Sequence, residues 1–148
     1  MPEVEQCLTI AKQKCMENLA NHKEVRQGLR NVDLQTLEPN EWLNDVIVNK
    51  YLELLVANKP NSGVLSSFFY EEICRNTQTT NLLPVKWWNL EKLLIPLCID
   101  SHWSLLYSIP DQKRIFIYNS MKPTTQELEC VSVIFTSLIF LYNNRGVM

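Results

Sequence analysis

The stretch Leu93–Ser120, LLIPLCIDSHWSLLYSIPDQKRIFIYNS, leaves this chain little freedom in how it can fold. It reads as three strands. Leu93–Ile99 is an apolar run interrupted by Pro96, Trp103–Ile109 is a second run, and Lys113–Tyr118 alternates basic and apolar residues before Ile-Phe-Ile-Tyr. Runs of this length between turn residues form strands, and Pro110, Asp111 and Gln112 supply the turn of a hairpin between the last two. His102 opens one arm and Asn119 closes the other. An even loop centred near Asp111 sets the two on one face, opposed or diagonal, about 5–8 Å apart between Cβ atoms, whereas an odd loop separates them. An imidazole beside an amide or carboxylate is the pair with which cysteine and serine peptidases activate a nucleophile. The same residues would also suit a structural histidine satisfied beside a tryptophan.

The other segments are helical or looped. Pro2–Leu29 carries Val4, Leu8, Ala11, Cys15 and Leu19 at steps of three and four, an apolar stripe on a charged segment. It reads as a solvated leader in preference to a docking helix. Pro39 suits the first position of a helix, with Glu38 and Glu41 near its positive end. Trp42, Leu43, Val46, Ile47, Tyr51, Leu54 and Leu55 share one broad face, which predicts a helix over Trp42–Ala57 ended by Asn58-Lys59-Pro60. Asn61–Gly63 reads as a loop, and Val64–Cys74 as a short helix or an extended segment containing Phe68, Phe69 and Tyr70. Arg75–Asn81 reads as a polar surface loop. Beyond Ser120, Thr124 or Thr125 can cap a helix over Glu127–Tyr142. Leu128, Val131, Ile134, Phe135, Leu138, Leu141 and Tyr142 form its apolar side, with Cys130 on the less apolar one.

Composition removes several function classes. The chain has 148 residues and a net charge of −2, enough for one domain with a real core. Its Lys and Arg are dispersed, which argues against a nucleic-acid footprint. No run approaches the ~20 apolar residues of a membrane span, and the acidic, polar N-terminus is not a signal peptide, so no membrane partner is expected. Cys7, Cys15, Cys74, Cys98 and Cys130 are irregularly spaced, and with only two histidines a metal site is not expected. Three glycines argue against phosphate-cradling loops, and no cofactor is expected. Scattered thiols in odd number fit a nuclear or cytoplasmic compartment.

Three blocks carry a resemblance. His102-Trp103, a hairpin, then Tyr118-Asn119-Ser120 is similar to the "HW … YYDS" block of the ubiquitin-like-protein proteases, the SUMO-specific cysteine peptidases. Asp33 through Asp45, DLQTLEPNEWLND, resembles the family's "D-x-x-x-L … W-L-N-D" motif, and Ser67-Phe68-Phe69-Tyr70 its "TFFY" segment. The blocks occur in the family's order. The resemblance implies an α+β fold, a papain-like cysteine-peptidase core of the ubiquitin-like-protease type. It divides the chain into a leader over residues 1–29, a partial catalytic domain over 30–142 and a tail over 143–148. It implies thiol hydrolysis at the C-terminal Gly-Gly of SUMO or a related modifier, with the modifier and its conjugates as partners. His102 would be general base and acid, and Asn119 the residue orienting its ring. Trp42 and Trp103 would wall a flat slot that only residues without side chains can cross. Asp45, Phe68 and Phe69 would contact the modifier, although Asp45 reads equally as a solvated helix carboxylate and adjacent aromatics equally as core.

Two departures from the family stand out. Its nucleophile lies in a Gln-x-x-x-x-Asp-Cys-Gly block, and no Asp-Cys-Gly occurs here. The expectation is therefore a domain truncated on its C-terminal side and catalytically incomplete, with a non-catalytic modifier-binding module, or a fragment completed by another chain, as the alternative. Cys98 and Cys130 are the thiols near His102 in sequence, and neither sits at a helix start that would activate it. Secondly, Asn119 stands where the family has Asp. An amide can hold the ring, expected at Nδ1–H, but cannot stabilise an imidazolium by charge.

Overall fold

The computed structural model describes residues 6, 9–14, 16–17, 28–75 and 82–146. The chain divides into two compact units, Met1–Leu55 and Val56–Met148. Most of the expected leader and the loop residues 76–81 lie outside the described residues.

The first unit contains a helical stretch at residues 9–14, a short helix α1 (Asn31–Gln35) and a longer helix α2 (Asp45–Val56), the last residue of which belongs to the second unit. Helix α2 begins later than the apolar periodicity predicts. Glu41 N–H donates to the Glu38 carbonyl at 3.2 Å, closing a turn with Pro39 and then Asn40 at φ 65° in its middle. Proline followed by a residue of positive φ is the type II pattern. Asn44 then caps the helix: its Oδ1 accepts from Ile47 N–H at 3.0 Å, and its carbonyl takes the first helical bond from Val48 at 3.1 Å. Trp42 thus precedes the helix and is 71% exposed.

Asp33 ties this unit together. Its carboxylate is buried and accepts from Arg30 N–H at 2.9 Å, from Arg30 Nε at 3.2 Å and Nη2 at 3.1 Å, and from Asn44 Nδ2 at 2.9 Å. The α1 start and the α2 cap are therefore held by one side chain. The Arg30 side-chain and backbone hydrogen bonds hold the Asp33 carboxyl below the ordinary range. Leu37 and Ile47 form the small core beside it, flanked by Leu29, Leu34, Leu43 and Tyr51. Lys12 corrects the reading of a solvated leader at that position. It is 7% exposed, and its Nζ donates to the carbonyls of Glu38 at 3.0 Å and Glu41 at 2.6 Å.

The second unit is a four-stranded sheet in the order β1 (Ser62–Val64), β2 (Lys92–Ile99), β3 (His102–Ile109), β4 (Arg114–Tyr118), with helices α3 (Phe69–Cys74) and α4 (Thr125–Asn143) and a 3₁₀ turn at Trp87–Asn89. Strands β2, β3 and β4 run antiparallel, the β3–β4 hairpin as the sequence predicts, while β1 pairs parallel with β2. Ser62 and Gly63 are thus strand residues and not loop. A Cβ at Gly63 would lie 2.7 Å from Leu90 Cδ1, so only glycine fits without displacing that leucine. Pro96 is tolerated because β1 reaches only Leu94. The Leu94 carbonyl faces β1, accepting from Leu65 N–H at 2.8 Å, so the ring nitrogen two residues on points past the end of β1.

One sheet face carries Leu93, Ile95, Leu97 and Leu106 against Cys130, Ile134, Leu138 and Leu141 of α4, with Leu65, Phe69 and Trp87 completing the core. The buried stripe of α4 is Glu127, Cys130, Ile134, Leu138 and Leu141, so Cys130 faces inward while Leu128 and Phe135 are exposed, opposite to expectation. Apolar residues occur all round this helix, so periodicity alone does not fix its rotation. The absence of any span-like run is also corrected, since these 19 residues are long and apolar enough to cross a membrane. Their buried stripe makes them the cover of the sheet.

Replacing Asn44 by Ala removes the α2 cap and one Asp33 donor, and is expected to cost about 1–2 kcal/mol in denaturant unfolding. Asp33 has a folded pKa below its unfolded value, so its contribution is complete above about pH 4 and is lost as pH falls through the lower folded value. Acid titration of the urea midpoint should show this loss, and Asp33→Asn should flatten it.

Candidate active site

The site follows from two turns. Ile99 pairs with His102, so Asp100 and Ser101 form a two-residue hairpin loop, with φ of 50° and 61°. Positive φ at both central residues is the type I′ requirement, met here without glycine. At the other end Ile109 pairs with Arg114, leaving the even loop Pro110–Lys113, closed by Lys113 N–H to the Pro110 carbonyl at 3.0 Å. Continued by one residue, this register sets Asn119 opposite Ser104, diagonal to His102 on the same face.

The side chains meet there. His102 Nε2 lies 2.6 Å from Asn119 Oδ1. Asn119 Oδ1 also accepts from Met121 N–H at 2.8 Å, and Asn119 Nδ2 donates to Glu127 Oε2 at 2.7 Å. These contacts settle the amide and the tautomer together. A backbone N–H only donates and an ionised carboxylate only accepts, so the amide oxygen faces His102. Nε2 is therefore the protonated nitrogen of the neutral ring, and Nδ1 carries the lone pair. The expected contact through Nδ1–H is thus replaced by one through Nε2–H. This leaves Nδ1 as the atom able to take a proton from a nucleophile and return it to a leaving amine.

Glu127 was not singled out from the sequence. It is the third residue after the Thr124 cap, whose Oγ1 accepts from Glu127 N–H at 3.1 Å. The visible signal is Thr-x-x-Glu ahead of an apolar run, which reads as an ordinary capping box.

The remaining residues are distributed as follows. Trp103 pairs with Cys98 across β2 and β3, on the sheet face opposite His102, and is half-buried. Trp42 and Asp45 belong to the first unit, Trp42 exposed and Asp45 half-buried as the first residue of α2. The aromatic pair is divided: Phe68 is 44% exposed, whereas Phe69 is 2% exposed within the core and offers no surface to a partner. No group of three or more His, Cys, Asp or Glu side chains able to hold a metal occurs among the described residues.

Cys98 is exposed on the sheet face opposite His102, because the Asp100-Ser101 turn pairs it with Trp103. Cys130 is sealed in the core, and Cys74 is exposed at the end of α3. The Tyr70 hydroxyl hydrogen-bonds to the thiols of Cys130 and Cys74, which with burial raise its pKa well above that of an ordinary phenol.

The fold is that of solved SUMO protease domains. The SUMO protease Ulp1 with its catalytic cysteine oxidised to a sulfenic acid aligns with a TM-score of 0.64 at 20% identity, over 90% of this chain and 66% of that one. The C-terminal Ulp1 protease domain solved in complex with Smt3, the yeast ortholog of SUMO, aligns at 0.57 and 19% identity, over 83% and 62%. Both have the papain-like α+β architecture that the sequence implies. The model of the Ulp1 protease family, C-terminal catalytic domain, matches residues 41–144, and this chain belongs to that family. Sentrin-specific protease 3 of Homo sapiens is 35% identical over 94 residues, covering 58% of this chain and 16% of that protein. Ubiquitin-like-specific protease 1A of Arabidopsis thaliana is 27% identical over 114 residues, covering 64% and 23%. The chain thus spans less than a quarter of either relative.

Brief treatment of the folded chain with a thiol-alkylating reagent should label Cys74 and Cys98 and spare Cys130 until denaturant is added, as read by peptide mass spectrometry. Rapid labelling of Cys130 in the native state would contradict its place in the core.

Proposed function

We propose that these residues form the acid–base and modifier-docking part of a SUMO-type cysteine peptidase domain. The observation that carries this reading is the His102 Nε2–H···Asn119 contact, with Nδ1 left as the base. In the reaction, Nδ1 takes the proton of a thiol, the thiolate attacks the carbonyl of the modifier's terminal Gly-Gly, and the protonated imidazole gives that proton to the departing amine. Asn119 holds the ring for both transfers. Trp42, Asp45, Phe68 and Trp103 are the docking residues for SUMO or a related modifier, and Phe69 supports Phe68 from the core. The domain comprises residues 30–142, with a leader before it and a short tail after it, and acts in the nucleus or cytoplasm.

The 148 residues by themselves do not complete the reaction. Cys98 lies on the sheet face opposite His102, and Cys130 is buried in the core beside the Tyr70 hydroxyl. Water attack without an oxyanion donor forfeits the roughly hundred- to thousand-fold such a donor supplies. The second reading, a non-catalytic modifier-binding module or a fragment completed by another chain, is favoured by the exposure of Trp42 and Phe68, and of Leu128 and Phe140 on α4.

Purified chain incubated with a SUMO precursor and a SUMO–fluorophore substrate should give no thiol-dependent turnover, while immobilised SUMO should retain it. Retention should fall about tenfold in Trp42→Ala if that indole is a docking hot spot. Turnover abolished by Cys98→Ser or Cys130→Ser would place the nucleophile within this chain, and loss of retention with a folded chain would remove the docking reading.

A further inference from the structure

We propose that Glu127 is a positioning residue for His102, and that Asn119 and Glu127 form one amide–carboxylate unit in which a carboxylate cannot replace the amide while Glu127 is present. The inference rests on the reading of His102 as the acid–base group. Its test reads the imidazole and the fold directly, so it can fail while the peptidase reading stands, and the reverse.

A Glu at the third position of a capped helix ordinarily reaches back to the backbone N–H of the cap residue and stays near solvent. Here Thr124 supplies its half of that arrangement, with Oγ1 accepting from Glu127 N–H at 3.1 Å. The carboxylate does something else. It turns under the sheet, is 4% exposed, and takes the Asn119 amide at 2.7 Å through Oε2, while its buried Oε1 has no hydrogen-bond partner among the described residues. A carboxylate buried with so little compensation is costly for a residue that could have stayed at the surface, although the helix start offers it partial positive charge.

What that arrangement achieves is direction. An amide presents an oxygen on one side and an NH₂ on the other, and a half-turn of its plane exchanges them. If the NH₂ faced His102, the ring would have to accept at Nε2 and carry its proton on Nδ1, the wrong tautomer for a base on that side. Glu127 accepts only, so it draws the NH₂ away from the imidazole, and Met121 N–H holds the oxygen from the other side at 2.8 Å. A carboxylate at position 119 would need no such aid. It would, however, place an oxygen close to Glu127, and two carboxylates at that separation cannot both ionise. A Gln at 127 would relieve this conflict, and its carbonyl could still accept from Asn119.

The test uses the ¹⁵N-labelled full chain carrying His22→Gln, so that His102 is the sole imidazole. Above its titration range the ring should show one protonated nitrogen, Nε2. Glu127→Gln should preserve that pattern. Glu127→Leu should move both ring nitrogens towards the averaged values of a free imidazole, with the backbone amide spectrum otherwise retained. Thermal melts supply the second arm: Asn119→Asp alone should melt about 5 °C below the Asn119→Asp, Glu127→Gln double variant. Unchanged ring signals in a folded Glu127→Leu chain would overturn the proposal. So would an Asn119→Asp chain as stable as the double variant, and this comparison decides the matter if Glu127→Leu does not fold.

Discussion

The antiparallel ladder of β2, β3 and β4 is the constraint on which the site depends. A strand's side chains alternate between faces, so a slip of β3 by one residue would send His102 to the outer face and bring Trp103 inward. Two loops prevent this. The Asp100-Ser101 turn has both residues at positive φ, and the Pro110–Lys113 loop spans an even number of residues. Burial adds its own restraint, since Leu93, Ile95, Leu97 and Leu106 must all face α4 to be covered. The face that His102 occupies is therefore fixed by hydrophobic burial several residues away.

The three buried charged side chains among the described residues have distinct tasks. Asp33 joins two helix starts by accepting four hydrogen bonds, all from residues of the first unit. Lys12 spends its charge on two backbone carbonyls of one turn. Glu127 differs in that one oxygen remains without a partner among the described residues, and it differs also in lying against the imidazole's own partner. The first two arrangements are fully explained by holding the fold together. The third bears on the histidine proposed as the acid–base group.

The sheet was legible because its signals are local. Apolar runs and Pro110-Asp111 were enough to set three strands and a hairpin, while the shared face of His102 and Asn119 hung on the loop's even length. Helix boundaries and rotations were less so. Asn44 was hidden by the stronger apolar pattern that begins at Trp42, and the side of α4 that turns inward is chosen by Glu127 and Cys130 in a helix with apolar residues all round. Phe68 and Phe69 are alike in composition and opposite in environment, a distinction only the α3 start makes. The nitrogen through which His102 binds could not be read from spacing, because it depends on which way an amide faces.

The proposed acid–base pair is made of short-range contacts. His102 and Asn119 are 17 residues apart in the chain, and Asn119 and Glu127 only 8. Loops of this size close in well under a microsecond and hairpins form in about 1–10 μs, so the meander can gather its chemistry early in folding. A catalytic domain built in this order acquires its imidazole, the amide that aims it and the carboxylate behind them as one local unit. That unit needs no distant part of the polypeptide to assemble, so the proposed acid–base half of the centre can form wherever this meander folds.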